Sequence, residues 1–202
     1  MSRHLAKRSL ALFVTVALSF GLALGLVGCG HGDEDAIRAQ VSAEFDRIRD
    51  TSEGNVRSQL GDEAFQSIQD KGIDPVAVYS SLFGGLQYEV TDVSVEKDVA
   101  QVTLTLTSVD IQAVVNGYKQ AVSDWAASDD ATYTFDQSGQ EGLESEAIRM
   151  LGEALTASDL PTTTREVTIE MRRGDDGTWA PADGSQVAGL LLGGTSLESL
   201  LA

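Results

Sequence analysis

The chain has 202 residues, and its 14 Lys and Arg stand against 31 Asp and Glu, a formal net charge of −17. That length fits one domain with at most a small appendage, and the acidity excludes a nucleic-acid binder, which needs a basic face. One Cys and two His exclude an internal disulfide framework, a thiolate zinc site and a His-rich metal centre, while 42% hydrophobic and 22% charged residues describe a globular chain rather than a disordered one.

The chain opens on Arg3, His4, Lys7 and Arg8, and residues 9–27 then carry no charge. A basic start followed by an apolar stretch is the pattern of a secretory signal. The stretch ends Leu26-Val27-Gly28-Cys29, which resembles the lipobox of bacterial lipoproteins: a Leu, a small apolar residue, Gly or Ala, then Cys. The resemblance implies a diacylglycerol on the thiol of Cys29 and cleavage between Gly28 and Cys29. Two acyl chains, at about 0.8 kcal/mol per buried methylene, anchor stably where one would be marginal. The alternative is an uncleaved transmembrane helix, for which the apolar run is long enough. A Lys at position 7, where a twin-arginine signal has its first Arg, favours general secretion.

Residues 1–28 are therefore read as a lipoprotein signal peptide, 29–32 as the lipidated Cys and a short tether, and 33–202 as a single domain. The tether Gly30-His31-Gly32 spans only about 3.5 Å per residue, so the domain is expected close to the membrane, on its extracytoplasmic face. Losing Arg3, Lys7 and Arg8 leaves the mature chain more acidic still, a body that anionic headgroups repel.

Asp33 to Asp50 reads as a helix, with acids in its first turn and Ile37, Val41, Phe45 and Ile48 on one face. A second helix is expected from Asn55 or Ser58 to Lys71, with Gly72 as its stop. A short third begins with Asp74 as N-cap and Pro75 at the first position. Leu86 to Val109 then alternates with period two through a turn at Lys97-Asp98, a β-hairpin with a one-residue slip near Asp92 that indicates a bulge.

Asp110 caps the next helix, where Ile111, Val114, Val115, Tyr118, Val122 and Trp125 form an amphipathic stripe. Ser128 to Gly142 is polar and reads as a loop, followed by a helix from Leu143 to Ala157. Thr163 to Arg172 alternates again, with Arg165, Val167, Ile169 and Met171 on one face. It turns through Gly174-Asp175-Asp176-Gly177 into Thr178 to Ala182. Val187 to Leu192 and Leu197 to Leu201 are short apolar helical pieces. The order of helices and antiparallel hairpins gives an α+β class.

The mature domain resembles the secreted lipoproteins of the cystatin-like, or nuclear-transport-factor-two-like, superfold. The residues that carry this are the N-terminal helices before Leu86-Gln-Tyr88-Glu-Val90, the strand Val99 to Thr107, the helix starting at Asp110, and Val167-Thr-Ile169-Glu-Met171 turning through Asp176-Gly177 into Thr178-Trp179. The resemblance implies a curved antiparallel sheet of two hairpins packed on several helices, a cone able to hold a pocket. The long helical insertion from Ile111 to Ala157 departs from it. A fold of this kind hosts unrelated functions and does not supply one.

The catalytic inventory is thin. Cys29 is taken by lipid, His31 lies in the tether, and no Gly-x-Ser-x-Gly elbow or phosphate-cradling loop occurs. Asp110 and Tyr118 could act as base and oxyanion donor, but an N-cap and a core aromatic explain them more simply. The acidic groups Asp33–Asp35, Asp129–Asp130 and Asp175–Asp176 lack the calcium-loop signature. No catalytic residue, metal or cofactor is therefore assigned. Tyr79, Phe83, Tyr88, Tyr118, Trp125 and Trp179 are the residues to line a pocket if the domain has one.

The expected function is a non-catalytic, membrane-anchored lipoprotein that binds a partner protein or small ligand in the cell envelope. A small-molecule isomerase or hydrolase of the same superfold would instead bring Asp and Tyr together in a deep cavity. A lipid carrier would show a large dry one.

Overall fold

The computed structural model describes residues 32–191; the signal segment, Cys29, His31 and the apolar piece Leu197–Leu201 lie outside the described residues. Helix α1 (Gly32–Arg49) has Asp33, Glu34 and Asp35 in its first turn and Arg47 and Arg49 in its last, each sign where the helix dipole favours it. Its expected apolar face, Ile37, Val41, Phe45 and Ile48, is buried. Asn55 Nδ2 donates to the carbonyls of Arg47 and Asp50 at 2.8 and 2.6 Å, satisfying acceptors at the end of α1.

The single helix expected up to Lys71 is two: α2 (Glu53–Leu60) and α3 (Asp62–Asp70). Gly61 separates them at φ 80°, ψ 151°, a conformation that glycine adopts without strain. The apolar spacing runs on through the break, so periodicity alone does not reveal it. Helix α4 (Pro75–Phe83) begins as expected, with Asp74 Oδ1 accepting from the Val76 and Ala77 amides at 2.9 and 3.2 Å.

The strands β1 (Gln87–Glu96), β2 (Val99–Val109), β3 (Thr162–Arg173) and β4 (Trp179–Pro181) form one antiparallel sheet in the order β1-β2-β3-β4, curved and open. The register of β1 on β2 shifts between Val90 and Asp92, so Thr91 is the extra residue of the expected bulge, and its hydroxyl donates to the Thr103 carbonyl at 3.1 Å. Ala100, Val102, Leu104 and Leu106 face inward from β2 and Val167, Ile169 and Met171 from β3, all buried. Helix α1 lies against this inner face, and α7 (Gly184–Leu191) adds Val187 and Leu191. Each of the Val, Leu, Ile and Met side chains among them contributes roughly 1.5–3 kcal/mol by leaving water.

Between β2 and β3 the chain forms two helices, α5 (Ile111–Ala126) and α6 (Asp129–Leu155). The expected loop at 128–142 is helical. Ser128 caps α6 by accepting from the Ala131 amide at 3.3 Å, and Asp129 and Asp130 occupy the first turn. Gly139, which reads as a loop residue, joins two helical segments with φ 63° and ψ −152°. Polarity misleads here because most of this stretch faces solvent and has no core to match. The α5 stripe also behaves differently from expectation. Ile111 and Val114 are buried, whereas Val115, Tyr118, Val122 and Trp125 are half-buried; Val115 still packs on the Leu82–Ile111 cluster at the base, and α6 is the main neighbour of α5.

The molecule therefore has two ends. At one, the β1–β2 and β3–β4 turns meet: the Arg173 amide donates to the Asp98 carbonyl at 2.9 Å, and the Arg173 guanidinium pairs with Asp33 at the start of α1. At the other, about 35 Å away along the eleven residues of β2, α5 begins and α6 returns. The Asp110 amide donates there to the Pro161 carbonyl at 2.7 Å and fastens the two stems of the hairpin.

Candidate functional site

The six aromatic residues expected to line a pocket fall into three places. Tyr79, Phe83 and Tyr88 gather near the end of α1. The Tyr88 ring stacks on Phe45 at 4.4 Å, and Tyr79 meets Phe83 at 4.7 Å. The Tyr79 hydroxyl donates to the Ile48 carbonyl at 2.9 Å, and burial raises its pKa to about 12. Tyr118 and Trp125 belong to the hairpin, where the Tyr118 hydroxyl donates to the Ala147 carbonyl at 3.2 Å and so ties α5 to α6. Trp179 is buried at the turn end, with the Arg173 guanidinium 4.8 Å from its ring centre. The fold distributes these rings among its packing layers instead of converging them on one opening.

Of the carboxylates singled out in the sequence, Asp33, Asp110 and Asp176 have structural partners. Asp110 Oδ1 accepts from the Ala113 amide at 3.0 Å, the expected N-cap, and it stands apart from the Tyr118 hydroxyl's contact with Ala147. Asp176 accepts from the Thr178 amide and hydroxyl at 2.9 and 2.6 Å, and these bonds lower its pKa. Among the described residues no group of three or more His, Cys, Asp or Glu is placed to hold a metal ion, and no helix is long and apolar enough to cross a membrane.

Two features were not singled out from the sequence, and a third was read there only as a helical insertion. The first is a cleft of about 620 Å³ between α2, α3 and α4, open to solvent and lined by Glu53, Phe65, Gln69, Ile73, Asp74 and Val76 together with Gly72. Its floor is apolar at Phe65, over which Arg57 lies at 4.0 Å. The second lies on the inner sheet face. Ser108 Oγ and Arg165 Nη2 are buried without a hydrogen-bond partner. Ser108 faces Thr163 and Arg165 faces Leu106, so the two sit diagonally across β2 and β3 on one face. The alternation of β3 placed Arg165 inward, and that was the signal available.

The third is the α5–α6 hairpin. It meets the body at its base, where Ile111 and Leu155 pack with Leu82 and where Gly152 approaches Ile73 closely enough that an added Cβ would lie 3.4 Å away. Tyr133 and Phe135, beside the α5–α6 connection, are 68% and 53% exposed. Two basic side chains, Lys119 and Arg149, stand against eight acidic ones between residues 111 and 155. Arg149 is occupied by Glu146 and Glu153 of the same helix, and its partners raise its pKa while lowering that of Glu146.

The sequence matches no protein-family model and no curated protein. Among solved structures it shows partial similarity to a Bacillus subtilis subsp. subtilis str. 168 protein described as a "putative lipoprotein (ycdA)", with a TM-score of 0.40 and 17% identity, covering 78% of this chain and 54% of that one. The chain thus spans about half the length of that protein.

Proposed function

We propose that this protein is a lipoprotein held on the extracytoplasmic face of the cell membrane by a diacylglycerol on Cys29, and that its body is a docking domain for a protein of the cell envelope. The support for the anchor is Leu26-Val27-Gly28-Cys29 behind a basic, then apolar, leader. The observation that carries the docking role is the opposition of the two ends. Asp33, four residues after Cys29, pairs with Arg173 at the turn end of the sheet, so the tether leaves from there. The hairpin with its exposed aromatics starts from the far end. Anchored this way, the protein holds the hairpin away from the lipid. We describe the sheet and α1 together as a cystatin-like cone, on the support of a curved antiparallel sheet with a helix laid along its inner face.

The test uses the fact that Cys29 is the sequence's one cysteine. Cells fed a clickable palmitate analogue should label the wild-type protein and leave Cys29→Ser unlabelled. In the lipidated protein, a cysteine introduced at Asp175 or at Ser138 then gives one reactive thiol. A dye at 175 should transfer energy efficiently to a membrane dye and one at 138 weakly. Equal transfer from both positions would remove the proposed orientation, and labelling of Cys29→Ser would remove the anchor.

A second reading is capture of a small oxyanion on the inner sheet face, favoured by the unpartnered Arg165 Nη2 and Ser108 Oγ. A buried guanidinium nitrogen without an acceptor is costly, and a carboxylate would supply one. A carboxylate that stabilises the wild type but not Arg165→Gln against heat would support this reading; equal stabilisation of both would exclude it.

A further inference from the structure

We infer that the outer edge of β3, over residues 162–167, takes an extended segment of a partner protein as a further strand, and that this segment carries a carboxylate for Arg165. The inference rests on the docking role proposed above and names the partner's chemistry. β2 pairs with β3 from Thr162 to Arg172 without a register shift, whereas β4 pairs only with Met171, Arg172 and Arg173. The first residues of β3 therefore have a strand on one side only. They lie at the end of β3 away from Arg173, and so away from the tether in the orientation proposed above.

The backbone selects an extended occupant. The Pro161 carbonyl and the Arg173 amide bond to the Asp110 amide and the Asp98 carbonyl, so odd-numbered residues face β2. The Glu170 carbonyl bonds the other way, to the Ala182 amide at 2.8 Å. Alternation then turns the N–H and C=O groups of Thr162, Thr164 and Glu166 outward. All three residues are exposed, and among the described residues no backbone group bonds those outward groups. Such a row is a template for strand addition; a helix, with its backbone already bonded, cannot use it. The opposite edge of the sheet is guarded. β1 has the bulge at Thr91, its Val90 carbonyl is taken by Arg38 Nη1 at 3.1 Å, and Glu89, Asp92 and Glu96 are exposed along it.

Arg165 selects the side chain. It faces inward between Thr163 and Val167, and its Nη2 is buried without a partner. Across β2 it meets Leu106, with Ser108 on the diagonal, and neither is an acid. An added strand sets one residue directly opposite Arg165 on its other side, with Cβ atoms about 4.5–5.5 Å apart. Asp or Glu at that position supplies the missing acceptor by a charge-assisted bond. A second copy of this chain, with its helices on the same side of the joined sheet, has none to offer. The inward residues of its β1 are Tyr88, Val90, Val93 and Val95, and those of its β3 likewise include no carboxylate.

The experiment displays a library of seven-residue peptides with Thr at alternate positions and the others randomised among Asp, Asn, Lys and Val. It is selected against the full lipidated protein in nanodiscs. Enriched peptides should carry Asp at a randomised position and lose at least tenfold in affinity for Arg165→Gln. In synthetic copies, N-methylation of one alternate set of amides should cost at least tenfold and of the other set little, because only one set meets Thr164 and Glu166. That readout alters the peptide and leaves the protein's fold untouched. Asp-bearing peptides indifferent to N-methylation would assign Arg165 to a free carboxylate and overturn the added strand. Enrichment without Asp, equal binding to Arg165→Gln, or no enrichment over a library with Pro at the alternate positions would each overturn the inference. A concentration-dependent dimer that Thr164→Pro converts to monomer would assign the edge to a second copy and overturn it too. The orientation of tether and hairpin is decided separately, by energy transfer.

Discussion

The inner face of the sheet and the α5–α6 hairpin carry equally regular apolar patterns and end at different depths. On β2, Val102, Leu104 and Leu106 have no exposed surface, because α1 and α7 cover the inner face and β1 and β3 flank the strand on both sides. On α5 the stripe is as clean, yet past Val114 no residue of it is fully buried. Periodicity tells which face of an element is apolar; the number of layers stacked against that face decides how much water it loses. The first pattern builds a core, and the second leaves an apolar seam half in solvent, the property on which a docking role depends.

The largest expected effect tests this contrast directly. Leu104→Ala should cost about 2–5 kcal/mol, the range for deleting a fully buried Leu, whereas Val122→Ala should cost at most about 1 kcal/mol, since its side chain is already partly wet. Urea denaturation of the two variants decides it, and equal losses would mean that the hairpin is as deep a part of the core as the sheet. Gly139→Ala comes next. A side chain at φ 63° and ψ −152° is strained, at about 1–3 kcal/mol, and hydrogen exchange should show the loss confined to α6 while β2 keeps its protection. Faster exchange throughout β2 would show that hairpin and sheet open as one unit. Asp110→Ala removes the cap of α5 and should cost about 1 kcal/mol, again with faster exchange in the first turn of α5 and little change in β1.

Much of the fold was legible in the sequence for reasons that can be named. The β1–β2 hairpin, its bulge, the inward set on β3 and the caps Asp74 and Asp110 are local signals, and each appears where its residues placed it. The break at Gly61 was not legible because the apolar spacing continues across it. The helix over 129–138 was not, because a solvent-facing helix has no apolar stripe to announce it, and its start at Ser128 reads equally as the start of a loop. The candidate site was the least legible part. The cleft between α2, α3 and α4 and the diagonal of Ser108 and Arg165 both join residues far apart in sequence, and only the register and the helix packing bring them together.

The smallest expected effect lies at the join of the two regions, where α4 meets the end of α1. The Tyr79 hydroxyl donates to the Ile48 carbonyl, and burial raises its pKa to about 12, against about 10 in an unfolded chain. The protonated phenol is thus favoured by folding. Its contribution is complete below pH 10 and is lost as pH rises toward 12, because the unfolded chain sheds its proton first and the folded one must follow. Tyr79→Phe removes that hydroxyl and leaves the Ile48 carbonyl without this donor, at a cost of about 1 kcal/mol near neutral pH. The variant should therefore unfold at lower urea than the wild type at pH 8, and the gap should narrow steadily between pH 10 and 12. A gap that stays constant over that interval would show that the Tyr79 hydroxyl titrates like one in water. The contact between α4 and α1 would then rest on apolar packing, with Phe83 against the cluster that holds Phe45 and Ile48.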